Sequence, residues 1–137
     1  SIAETDDTIY LQTKTGIKEI DTMISVLKDH YNGIYRVSLD NDSAHRILMP
    51  SYLDYKEDEE NFSKLLTKYI NDIVHPDYHR AVSSFLNFNA IKRQISMGKT
   101  PSVTYQKMHG ETVTLSIYNL SEDKDNINET LWVFAKE

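Results

Sequence analysis

The sequence predicts an α+β domain: one five-stranded antiparallel sheet, a helical crossover on one of its faces, and a helix at the N-terminal end. Three observations predict it. Apolar and polar residues alternate from Tyr35 to Met49 and again from Ser102 to the end of the chain. Between those stretches the apolar spacing changes to three and four, from Phe62 to Ile95. The pairs Asn41-Asp42 and His109-Gly110 punctuate the alternating runs as turns.

Taken in order, Ser1 to Thr15 is polar without a clear period and reads as a tail or connector. From Ile17 the residues Ile17, Ile20, Ile24, Leu27 and Tyr31 form a narrow apolar seam, which predicts a helix from Gly16 to His30. Asn32-Gly33 is expected to break it. Tyr35, Val37 and Leu39 then alternate with Arg36, Ser38 and Asp40, and Ile47 and Met49 follow the turn, so this segment is a β-hairpin. The acidic stretch SYLDYKEDEEN reads as a loop. Phe62, Leu65, Leu66, Tyr69, Ile70 and Ile73 form the stripe of an amphipathic helix.

At IVHPDYHRAV, two histidines four residues apart, with Asp77 between them, suggest a helical metal site. Pro76 argues against it. A proline ring pushes the preceding residue out of the α region, so His75 and His79 do not share a helix face. Pro76 instead opens a new helix, and Asp77 adds negative charge near its positive end. That helix is expected to bury Val82, Phe85 and Leu86, with His75 bracing its start and His79 and Arg80 solvated on its first turn. Asn87-Phe88-Asn89 interrupts the pattern, and a last helical stretch carrying Ile91 and Ile95 stops at Gly98. SVTYQKM, ETVTLSIYNL and TLWVFAK are the closing three strands, with Ser121 to Asn128 a polar loop.

One domain of ordinary size accommodates 137 residues. The absence of cysteine excludes disulfides, thiolate metal sites and a cysteine nucleophile. A net charge of -6 disfavours a nucleic-acid partner, which clustered lysine and arginine would recruit. No apolar run approaches a membrane span, so the cytoplasm is the expected compartment, with room for a membrane-anchored full-length protein.

The order of elements, the HPDYHR junction, and the segments YNGIYRVSLDND, ISMGKTPSVTYQKMHGE and LWVFAKE resemble a PAS domain. More narrowly, they resemble the sensory PAS domains that precede GGDEF diguanylate cyclase modules in bacterial signalling proteins. The resemblance implies residues 1–30 as a connecting or dimerisation helix and 31–137 as a sensory domain that is not itself an enzyme. It also implies a C-terminal output domain, a diguanylate cyclase or alternatively a histidine kinase, controlled by a small-molecule ligand or by dimer geometry. Two features depart from the family: no Asp-x-Thr follows the last strand, and the Asn-Cys motif of flavin photosensors is missing.

Nine tyrosines are the most informative residues. Tyr35, Tyr105 and Tyr118 fall on strands and Tyr69 on the crossover helix, and a buried tyrosyl hydroxyl needs a partner. Two roles fit them: lining a small-molecule pocket between sheet and helices, or packing the core. The sequence names no cofactor and assigns no metal. The carboxylates cluster in solvated loops, and no nucleophile elbow or phosphate loop appears. A small α+β enzyme remains the alternative from another class, with Asp40 a poor candidate acid beside its turn. On the last strand Leu131, Val133 and Ala135 face one side and Trp132 and Phe134 the other, so both faces are apolar and one needs a cover. The seam Ile17, Ile20, Ile24 and Leu27 is the expected cover, by folding back or as a homodimer through the N-terminal helix.

Overall fold

The computed structural model describes residues 18–27, 29–48, 58–123 and 125–137. The readings made above for Ser1 to Ile17 and for residues 49–57 lie outside them. The chain divides into two compact units, Ser1–His30 and Tyr31–Glu137. In the first, residues 18–27 are helical, and Ile20, Met23 and Val26 are exposed.

The second unit is an antiparallel sheet with helices on one face. Its strands are β1 (Tyr31–Ser38), β2 (Ser43–Leu48), β3 (Asp58–Glu60), β4 (Ser102–Gln106), β5 (Thr112–Asn119) and β6 (Glu129–Lys136). They lie in the order β3-β2-β1-β6-β5-β4. First and last strands are therefore central neighbours, and the helices carry the chain from the β3 edge to the β4 edge. Those helices are α1 (Phe62–Asp72), a 3₁₀ turn (Pro76–Tyr78), α2 (His79–Phe85) and α3 (Phe88–Ser96).

The sheet has six described strands where the sequence predicted five. The extra one, β3, sits in the acidic stretch expected to be a loop and pairs with β2 from Ser43↔Glu60 to His45↔Asp58. Acidic residues have poor strand propensity, so only the free edge of β2 recruits them. A second difference concerns Tyr31, Asn32 and Gly33. The sequence placed Tyr31 on the helical seam and a break at Asn32-Gly33, yet all three belong to β1, where Tyr31 pairs with Ala135 and Gly33 with Phe134. Pairing with the central strand β6 overrides the local turn preference.

Alternation on β6 decides which face is inside. Thr130, Trp132 and Phe134 are buried with Val37 of β1, Val113, Leu115 and Ile117 of β5, and Tyr105 of β4. Against them pack Phe62, Leu66 and Ile70 of α1, Val82 of α2, and Ile91 and Ile95 of α3. Phe85 and Leu86, expected to be buried, are only half-buried at this cluster. Leu131, Val133 and Ala135 occupy the opposite face and are half-buried.

Helix ends follow local chemistry in two cases and long-range chemistry in one. Asn87 caps α3, its Oδ1 accepting from Ala90 N–H at 3.0 Å, and Gly98 with φ 79° lies just beyond that helix's C-terminus. His75 is extended, with φ -58° and ψ 137°, and its Nδ1 accepts from Asp77 N–H at 3.2 Å as Pro76 begins the 3₁₀ turn. At α1, Asn61 has φ 57° and gives no side-chain cap. Asp42, from the β1–β2 turn, takes over: its carboxylate accepts from Ser63 N–H at 2.7 Å and from Ser63 Oγ–H at 2.5 Å.

Candidate ligand site

Three of the four tyrosines singled out by sequence converge inside the fold. Tyr69 on α1 and Tyr105 on β4 place their hydroxyls 2.5 Å apart, with ring centroids at 6.3 Å and planes at 84°. Tyr69 also meets Phe134 edge to face at 6.0 Å, and Tyr35 approaches the same Phe134 at 5.8 Å. Phe134 thus joins Tyr35 to Tyr69, and Tyr69 carries the cluster on to Tyr105. The cluster continues through Phe62, which contacts Tyr35 and Trp132, to Phe88 on Trp132. Each edge-to-face pair adds about 0.5–1.5 kcal/mol beyond area burial, so the cluster adds to the stability of the core.

Tyr118 does not join them. It is exposed on the face opposite the core, opposite Leu131 of β6, because Val113, Leu115 and Ile117 take the inward positions of β5.

The hydroxyl of Tyr105 is held protonated. Burial pushes its pKa far above the ordinary tyrosine value, and the neighbouring Tyr69 hydroxyl and the charge of Glu111 push in the same direction. It therefore serves as a neutral donor and acceptor. The buried polar side chains among the described residues, Asn32, Ser38 and Thr130, are neutral as well. Ser38 donates to Asn128 Oδ1 and Thr130 to the Val37 carbonyl. Asn32 differs: neither its Oδ1 nor its Nδ2 has a hydrogen-bond partner. The sequence reading missed it, because Asn-Gly is a turn signal and nothing local marks a buried amide.

The histidine pair is divided between two structural tasks. His75 accepts from the Asp77 backbone, whereas His79, expected to be solvated, is half-buried and its Nε2–H donates to the Val74 carbonyl at 2.6 Å. Among the described residues no group of three or more His, Asp or Glu is placed to hold a metal ion. Asp40 forms an ion pair with Lys92 of α3.

A second feature is a cleft of about 270 Å³ between α3 and the β5–β6 loop, lined by Lys92, Arg93, Ser96, Asp125, Asn126 and Ile127. Its polar groups are mostly exposed, so water competes for every one of them. The Tyr69–Tyr105 hydroxyl pair and the Asn32 carboxamide are the stronger candidates, since both are better shielded from water.

No protein-family model, curated protein or solved structure matches the chain. Among the described residues no helix is long and apolar enough to cross a membrane.

Proposed function

We propose that the chain is a sensory and regulatory domain of the PAS type, without catalytic activity of its own, that controls an attached output module in a bacterial signalling protein. The observation that carries this reading is the strand order. β2, β1, β6, β5 and β4 form an antiparallel sheet whose first and last strands are central, and a helical crossover leads from one edge to the other. That arrangement is what the resemblance of HPDYHR and its flanking segments implies. The paired hydroxyls of half-buried Tyr69 and buried Tyr105 support ligand sensing between sheet and helices, and a diguanylate cyclase is the output the resemblance favours.

A second reading is a dimerisation module without a ligand. It is favoured by the tight filling of the interior, where Trp132, Phe62 and Tyr105 are at most 1% exposed.

Native mass spectrometry of the purified protein, followed by a thermal-shift screen against metabolites, separates the two. A bound molecule raises the melting temperature by mass action. A co-purified or screened ligand whose effect is lost on changing Tyr69 or Tyr105 to Phe supports sensing. No ligand from either measurement, with a persistent dimer in light scattering, supports the second reading.

A further inference from the structure

Asn32 is the extra residue of a β-bulge. On β1 the pairing with β6 jumps from Tyr31↔Ala135 to Gly33↔Phe134, so one residue stands outside the regular alternation. Bulges of this kind re-aim a side chain and recur beside functional sites. Here the residue is 8% exposed, and both atoms of its carboxamide are buried without a hydrogen-bond partner. An unpaired buried amide is costly, and native proteins rarely retain one without a reason. Its position is informative: Gly33, the next residue, pairs with Phe134, the ring that joins Tyr35 and Tyr69.

We propose that the Asn32 carboxamide is the recognition group for a small neutral ligand carrying an adjacent hydrogen-bond donor and acceptor, such as an amide, lactam, urea or pyrimidine edge. This rests on the sensory reading above and specifies its ligand. The carboxamide presents a carbonyl acceptor and an N–H donor side by side, so a ligand edge with the complementary pair satisfies both at once. Neutrality follows from burial. The carboxamide is itself uncharged, and among the described residues the buried polar side chains, Asn32, Ser38 and Thr130, include no charged group, so a buried carboxylate or phosphate would lose water without gaining a buried counter-charge.

The test uses matched neutral and charged probes on the whole chain: uracil against orotate, and benzamide against benzoate. Melting temperature is followed in the wild type and in Asn32→Leu, which keeps the side chain's shape and removes its polarity. Uracil or benzamide is expected to raise the wild-type melting temperature by several degrees at millimolar concentration while orotate and benzoate do not. The shift should vanish in Asn32→Leu. In the wild type, ¹⁵N-resolved NMR should show the Asn32 side-chain N–H₂ resonances moving with the neutral probes, a readout that does not depend on the variant folding. Equal stabilisation by the charged probes, or stabilisation retained in Asn32→Leu, overturns the assignment to Asn32 and leaves the sensory reading standing. If no probe binds and the amide resonances exchange magnetisation only with a long-lived water, a structural water is the partner and the proposal fails.

Discussion

The indole Nε1–H of Trp132 donates to Thr130 Oγ1 at 2.9 Å, and that hydroxyl in turn donates to the carbonyl of Val37 at 2.9 Å. Both side chains are fully buried. Thr130 and Trp132 are two residues apart on β6, on the same face of the strand, so a single hydroxyl satisfies the largest side chain of the core and ties it to β1. Thr130→Val keeps the volume and orphans the indole, which is expected to destabilise the fold by about 1–3 kcal/mol. Trp132→Phe in the Thr130→Val background should cost less than the two single changes added together. Urea denaturation of the four proteins measures that coupling, and strict additivity would show that the relay has no energetic role.

Tyr105 links stability to alkaline pH. Its hydroxyl stays protonated in the folded protein, because burial and the neighbouring Tyr69 disfavour the tyrosinate, but it ionises near pH 10 in the unfolded chain. Above that pH the folded state holds one more proton than the unfolded state. Stability from this group is thus complete below about pH 10 and falls above it, by up to about 1.4 kcal/mol per pH unit. Urea midpoints from pH 8 to 11 should show this decline in the wild type and a shallower one in Tyr105→Phe. Parallel declines in the two proteins would assign the effect elsewhere.

Asp42 caps a helix that begins far from it in sequence. With Asn61 supplying no side-chain cap, the Asp42 carboxylate accepts both donors of Ser63 at the start of α1. Asp42→Ala is expected to lower stability by about 1–2 kcal/mol, the usual cost of a lost cap. Ser63→Ala removes the hydroxyl and leaves the backbone N–H bond, so it should cost less. Thermal melts of both variants check the order.

Tyr31–Glu137 is a compact unit by itself, and the seam Ile20, Ile24 and Leu27 lies in the other one. Deleting residues 1–30 is expected to leave a cooperatively folding domain and, on the proposed dimer through the N-terminal helix, to turn a dimer into a monomer or an aggregating species. Light scattering before and after the deletion decides it. A full-length chain that is monomeric at high micromolar concentration removes the dimer from the proposal.

Local pattern determined much of this protein. The alternation in ETVTLSIYNL and TLWVFAK fixed β5 and β6, the three-and-four spacing from Phe62 to Ile73 fixed α1, and Pro76 fixed the break that separates His75 from His79. These are short-range effects of backbone geometry and side-chain period, written in consecutive residues. Only the tertiary structure decided the rest. β3 forms because β2 has a free edge, and Asp42 caps α1 because the hairpin turn lies against it. The candidate site belongs to this second group. Tyr35, Tyr69 and Tyr105 were legible as residues in need of partners, but the contacts of Tyr35 and Tyr69 with Phe134 and of Tyr69 with Tyr105, the exclusion of Tyr118 and the burial of Asn32 depend on register. A one-residue bulge moved Asn32 from an apparent turn into the interior, and a sequence carries no local mark of a bulge that its partner strand imposes.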